Sequence, residues 1–339
     1  MLEVIEGGFQ TTVQDVGRKQ GHSMGIPPSG AQDTFSLRIA NLLVGNPSGG
    51  PLIIRDDPGA AALEILLAGL KVRALDDHLV AIAGADMAPT VDDARVPSWQ
   101  SFVLRRGQTL AFGMARSGVR GYLAVRGGID VPLRLGSRAT HLGGKFGGIG
   151  GRKLQAGDKL AIGAADGDVP ALQGRRYPEE LRPRFGGPRE IRVVAGPEAH
   201  RFTQDSVDTF FSADWKLSSK ADRIGMRLIG PRLEFRPGRP AYLKEEAGED
   251  PSNIVIDPGA PVGTIQVPSG VEPIVLAVDS PTIGGFARIA CVVSTDMSVM
   301  GQTRALEVVR FTKVTVDAAH ELIRQQIKKI QENHVLQTV

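Results

Sequence analysis

The chain has 339 residues, 42% hydrophobic and 23% charged, enough to build packed cores for about two domains and incompatible with global disorder. Its 40 basic and 37 acidic residues leave a net charge of +3, with no run of five like charges and no interleaving of basic and aromatic residues, which disfavours nucleic-acid binding. With 42 glycines, 22 prolines and 5% aromatics, it reads as short apolar runs closed by tight turns, the composition of a mainly β protein.

In chain order, residues 2–5 and 11–13 are predicted strands around the turn at Gly7-Gly8. Pro27-Pro28-Ser29-Gly30 cannot continue a helix, because proline lacks the donor and clashes with the preceding turn. A helix is predicted from Asp33 to Val44, with Asp33 as its N-cap and Phe35, Leu37, Ile39, Leu42 and Leu43 as its apolar side. Gly45-Asn46-Pro47 ends it. From residue 51 to about 163 come strand-like runs, each stopped by Gly, Asp or Pro. Two of them, "RRGQTLAFG" and "LQAGDKLAIG", look like related hairpin units. The cluster "GGKFGGIGG" (143–151) is either a flexible hairpin loop or a set of backbone amides offered to an anion.

Residues 166–189 lack periodicity and read as a linker, which divides the chain into an N-terminal half (1–165) and a C-terminal half (190–339). In the second half "EAHRFTQDSVDTFFSA" reads as a helix. Strand text follows, and a C-terminal helix closes the chain. Asp317 is its predicted cap, and Leu322, Ile323, Ile327 and Ile330 form its apolar stripe.

Several chemistries are absent from the sequence. There is no GxxxxGK[ST], no HExxH and no CxxC, so no P-loop or zinc site of those kinds, and no metal is expected. Ala-Met-Lys-Met, the surroundings of a biotinylated lysine, does not occur, so no covalent biotin is expected on this chain. Cys291, the only cysteine, lies in the apolar run "IACVVS" and reads as a buried inert thiol. "MLEVIEGG" is not a signal peptide and no run approaches 18 apolar residues, so the expected location is the cytoplasm.

Two polar constellations remain. One is the stretch Val13–Asn46, with Gln14, Asp15, Arg18, His22, Ser29 and Asp33. The other is "SSKADRIGMRLIG" (218–230) with "GTIQVPSG" (263–270), which bring Asp222, Arg223, Arg227 and Gln266. Each sets a carboxylate beside guanidinium groups: Asp15 with Arg18, and Asp222 with Arg223 and Arg227. Arginine offers permanent charge and a planar fork suited to carboxylate, phosphate or carbonate oxygens. Spacing alone leaves two readings open, a site for such oxygens or Asp–Arg pairs that buttress turns.

The pattern QDxGR…PPSGxxD…ANxLVGN, carried by residues 14–46, resembles the opening of the biotin-dependent carboxyltransferase-like proteins. These include KipA-type proteins, the second component of allophanate hydrolase and the C component of 5-oxoprolinase. The resemblance continues through "ALEILLAG", "AIAGADM", "RSGVRGYLAVRGGIDVPLRLGSRAT", "ADRIGMRLIG" and "GTIQVPSGVEPIVL". It implies two cyclophilin-like β-barrel halves and a KipI-like B component as partner, joined in bacterial 5-oxoprolinase by a third, the A component. The sequence departs from the oxoprolinase-like pattern at Ser280, Pro281, Thr282, Ile283 and Phe286-Ala287.

Three functions follow from the resemblance. The first is a component of an ATP-dependent 5-oxoprolinase, opening 5-oxoproline to glutamate. Arg18, Arg223 and Arg227 would meet developing negative charge, and Asp15 or Asp222 would orient an amide N–H or a water. Gln14, His22, Ser29, Asp33 and Gln266 would bind substrate. The second is the carboxyltransferase part of a biotin-dependent urea or amide carboxylase, whose biotin carrier is another chain. The third is a non-catalytic antagonist that binds a KipI-like protein.

Overall fold

The computed structural model describes residues 1–50, 57–165, 169–238, 251–253 and 259–330. The chain is mainly β, with four α-helices among the described residues, and divides into two compact units. Among the described residues, the first comprises those within Met1–Gln20 and Pro28–Phe185 together with 325–330, and the second those within Gly21–Pro27 and Gly186–Arg324.

The first unit contains β1 (Leu2–Gly7), β2 (Gln10–Gln14), α1 (Thr34–Leu43), β3 (Ala62–Leu66), β4 (Leu70–Ala74), β5 (His78–Asp86), β6 (Thr90–Val91), β7 (Ala94–Arg95), β8 (Gln100–Leu104), β9 (Thr109–Ala111), β10 (Ser117–Val125) and β11 (Lys159–Leu160). They form a six-stranded sheet in the order β11-β1-β4-β9-β6-β7 and a five-stranded sheet in the order β2-β3-β10-β5-β8. One hydrophobic core takes Leu2, Val4 and Val72 from the first sheet and Leu63, Ile65, Val80, Ile82, Leu123 and Val125 from the second. The alternate residues Ala62, Ala81, Ala83, Tyr122 and Ala124 face a second core, built with Leu37, Ile39 and Leu43 of α1. Alternation therefore puts large branched side chains between the sheets and mostly small alanines, with Tyr122, under the helix. With both faces covered, these strands read as unbroken apolar text.

Asp33 caps α1 as expected, its Oδ1 accepting from the Ser36 N–H at 3.0 Å. The two hairpin units also match. Gly107 N–H donates to Ala74 O and Gly157 N–H to Val4 O, both at 2.8 Å, and each is followed by a strand of the six-stranded sheet. The stretch that composition suggests is a linker carries packing of its own. Leu172 and Tyr177 are buried beside α1, and the Tyr177 ring lies 5.9 Å from Phe35, edge-on, and 5.8 Å from Trp99. Burial pushes the Tyr177 hydroxyl up to about 12.

The second unit contains β12 (Arg189–Ala195), α2 (Gln204–Ser212), β13 (Trp215–Leu217), β14 (Gly225–Ile229), β15 (Thr264–Gln266), β16 (Ile274–Leu276), β17 (Arg288–Val292), α3 (Ser294–Gly301), β18 (Val308–Lys313) and most of α4 (Val316–Ile330). Its strands close a barrel, β12-β17-β15-β16-β14-β13-β18, in which β12 and β18 pair in parallel. Ile191, Val193, Trp215, Ile265, Val275, Ile289 and Phe311 fill it.

Two helix starts differ from expectation. α2 begins at Gln204 rather than near Glu198, because Phe202 and Thr203 are extended and the Thr203 hydroxyl accepts from the Ser206 N–H at 3.2 Å. α4 is capped by the Thr315 hydroxyl, which accepts from Ala318 N–H at 3.1 Å, not by Asp317. Of its stripe, Ile323 and Ile330 are buried, and Leu322 and Ile327 are half-buried. The predicted continuation past Ile330 lies outside the described residues. No helix among the described residues is long and apolar enough to cross a membrane.

Candidate functional site

In the first unit the polar residues gather where β2 ends. Asp15 is fully buried and saturated. Its carboxylate accepts from Gly17 N–H at 2.8 Å, from Ser137 Oγ at 2.7 Å and from Arg138 N–H at 2.6 Å. Burial raises its pKa, opposed by these hydrogen bonds and by the Arg18 charge. Arg18, 2% exposed, donates from Nη2 to Ala139 O at 2.6 Å and, at the longer distance of 3.4 Å, from Nη1 to Pro28 O. Its guanidinium carbon lies 4.8 Å from the Phe146 ring centroid. The expected Asp15–Arg18 pair is thus an electrostatic neighbourhood, in which each group also ties the 137–139 turn to the motif.

The Pro28-Ser29-Gly30 turn is strained. Ser29 has φ 53 and Gly30 φ 88. A left-handed serine costs about 1–3 kcal/mol. Position 30 accepts only glycine, since a Cβ there would lie 2.5 Å from Gly17 N. Ala31 N–H donates to Asp15 O at 2.9 Å and Arg18 N–H to Pro28 O at 2.8 Å, which locks this turn onto the QDVGR turn. Ser29 is 1% exposed, and its hydroxyl has no hydrogen-bond partner. Gln14, fully buried, donates to Thr12 Oγ1 at 3.0 Å and Thr140 O at 3.1 Å, while its Oε1 is likewise unpartnered. Asp33 is held as the α1 cap, and its own N–H donates to Tyr122 Oη at 2.8 Å. Tyr122 in turn donates to Glu64 at 2.7 Å.

The remaining residues belong to the second unit. His22 is exposed on a short 3-10 turn, His22–Met24. Its Nε2 is 3.8 Å from where a Cβ on Gly259 would sit. Asp222 is exposed, and its Oδ1 accepts from Ile224 N–H at 2.8 Å and Gly225 N–H at 2.9 Å. Arg223 is buried, and the carboxylate it grips is not Asp222 but Asp279, with Nε–Oδ2 at 2.7 Å and Nη2–Oδ1 at 3.3 Å. Arg227 is half-buried and 3.8 Å from Glu272. Gln266 on β15 is 6% exposed, and its Nε2 has no partner. Opposite it on β17 is Arg288, which holds Glu198 with two contacts of 2.7 Å and Gly259 O at 3.0 Å.

Sequence reasoning missed Ser137, Phe146, Asp279 and the Glu198–Arg288 pair. Nothing local could have found them. Ser137 reaches Asp15 across 122 residues, Arg288 reaches Glu198 across 90, and Arg223 reaches Asp279 across 56. Cys291 is half-buried rather than buried as expected, and desolvation pushes its thiol pKa up.

A β protein with a closed barrel, the QDVGR–PPSG turn pair and a buried arginine in each unit defines a class. Residues 24–313 match the family model for the carboxyltransferase domain, subdomains A and B, and the chain belongs to that family. It is 37% identical to the C component of 5-oxoprolinase from Escherichia coli, over 94% of this chain and 93% of that protein. It is 34% identical to the urea amidolyase of Lachancea kluyveri, covering 100% of this chain but 18% of that protein. The crystal structure of Kluyveromyces lactis urea carboxylase superposes with a TM-score of 0.87 at 32% identity, over 97% of this chain and 29% of that one. The chain therefore spans nearly the whole of one kind of relative and less than a third of the other.

Proposed function

We propose that this chain is the C-type component of an ATP-dependent 5-oxoprolinase, opening 5-oxoproline to glutamate with a KipI-like B component and a third, A-type component. The observation that carries this reading is end-to-end correspondence with a protein that is itself a separate component of 5-oxoprolinase.

An unstrained amide is a poor electrophile, and moving phosphate onto its oxygen makes attack at carbon easier. The developing charge then needs fixed positive donors. Arg18 supplies such a donor in this reading; in the second unit Arg223 is already paired with Asp279, and Arg227 is the more exposed cation. Asp222 is the exposed carboxylate of the set and suits orienting an amide N–H or a water. Asp15 is already saturated by three donors and serves as the anchor of the motif.

Buried polar atoms are almost always paired in folded proteins, so the unpartnered atoms of Gln14, Ser29 and Gln266 support a substrate-binding role for these residues. His22 is exposed enough to meet a ligand, and Asp33 fixes the turn through the helix cap. We assign no residue of this chain to ATP, which enters as co-substrate of the assembly.

The family and the urea carboxylase superposition favour a second reading, carboxyl transfer to a urea or amide nitrogen. In that reading Arg18 would meet the carboxyl group that biotin, carried by another chain, supplies.

Co-expression with the two partner components tests the proposal. Glutamate should form from 5-oxoproline only with ATP and only when this chain is present. Bicarbonate-dependent turnover with a biotinylated carrier and urea would replace the first reading by the second. Tight binding of the KipI-like partner without turnover would point to the antagonist.

A further inference from the structure

The glycine cluster 143–151 is not absorbed by the site described so far, yet it packs onto it. His141 and Phe146 form a bridge across a tight hairpin, with their rings 5.2 Å apart and edge-on at 82°. The face of Phe146 lies against the Arg18 guanidinium at 4.8 Å. Gly147, at φ 73, lets the backbone pass directly beneath. A Cβ there would sit 2.1 Å from Ala139 O, the carbonyl that accepts from Arg18 Nη2, and 3.5 Å from that nitrogen. The Ala139 N–H donates to Ser137 Oγ at 3.0 Å, which itself donates to Asp15. The hairpin thus sets the Phe146 ring over the Arg18 guanidinium, and Gly147 packs against the Ala139 carbonyl that accepts from the same group.

We propose that the hairpin Thr140–Gly151 is a clamp for Arg18 and that Phe146 is a positioning residue. An aromatic face attracts a guanidinium through the ring quadrupole and fixes the plane of the fork without competing for its N–H donors. A plain loop would need no such ring contact, and the constraint at Gly147 comes from its positive φ and from the carbonyl of Ala139, the same carbonyl that accepts from Arg18. The functional consequence rests on the role proposed for Arg18. The clamp itself rests on geometry alone.

The test uses Phe146→Leu, which keeps apolar bulk but loses the quadrupole, and Phe146→Trp, which restores it. In the reconstituted enzyme Phe146→Leu should lower kcat about ten-fold with KM and melting unchanged, and Phe146→Trp should recover most of the loss. Arg18→Ala is measured alongside. If Arg18→Ala abolishes turnover while Phe146→Leu keeps full kcat, the positioning role is overturned and the role of Arg18 stands. If Arg18→Ala retains turnover, the catalytic reading fails, and the clamp is judged by NMR of the full chain. The Arg18 Nε–H resonance should show a ring-current shift and slow exchange in the wild type, and both should be lost in Phe146→Leu. An Arg18 resonance identical in both proteins would overturn the clamp.

Discussion

The two units each carry a Pro-Ser-Gly turn with serine in the left-handed region, Ser29 at φ 53 and Ser269 at φ 50, each followed by a glycine of positive φ. They use it differently. In the first unit Ser29 is buried with an unpartnered hydroxyl, and the neighbouring Arg18 donates to main-chain carbonyls under an aromatic ring. In the second unit Ser269 is exposed, its N–H donates to Ser252 Oγ at 2.9 Å, and Arg223 is clasped by Asp279. One turn is strained and incompletely satisfied, whereas the other is strained but closed by its neighbours. Strain together with an unpaired buried group is costly to keep for stability alone, which is the ground for the substrate-binding role proposed for Ser29.

The comparison can be broken most sharply at Arg223. Arg223→Ala should cost about 3–5 kcal/mol of unfolding free energy, because it strands the buried Asp279 carboxylate. Chemical denaturation reads this directly, and a loss under about 1 kcal/mol would mean the pair is not what holds the second motif.

Gly30→Ala should follow at about 2–3 kcal/mol, since its φ of 88 and the 2.5 Å approach to Gly17 N leave no room to relax. Ser29→Gly should act in the opposite sense. It relieves the left-handed serine and removes the unpartnered hydroxyl, so stability should rise by about 1 kcal/mol while KM for 5-oxoproline rises about ten-fold. A stabilised protein with unchanged KM would remove Ser29 from the binding residues.

The smallest effect concerns pH. The folded-state pKa of Asp15 is raised by burial, so the native state holds this proton more tightly than the unfolded chain does. Its contribution to stability is therefore greatest at low pH and declines as pH rises from the ordinary value of 3.8 through the higher folded one. Asp15→Asn should remove that slope from a series of unfolding curves. An unchanged slope would assign it to other carboxylates.

Much of this was legible in the sequence. The Asp33 cap, the apolar side of α1 and the presence of short strands closed by turns are written in local spacing, although β1 and β2 run a residue or two beyond the predicted bounds. The linker composition concealed Tyr177, whose burial depends on Phe35 and Trp99 far away in the chain. The motif pairs were the least legible part. Asp222 is the nearest acid to Arg223 in sequence, but its carboxylate is taken up by two backbone N–H groups of its own turn, and the arginine reaches across 56 residues to Asp279. Spacing names the residues that carry charge, but long-range packing decides which of them meet.

The account depends most on a fixed, planar cation beneath the first turn. Arg18→Lys keeps the charge and loses the fork. Glutamate release from 5-oxoproline by the reconstituted assembly carrying this variant should fall about 100-fold, with the near-ultraviolet circular dichroism of the wild type preserved. Wild-type turnover from that assembly would contradict it.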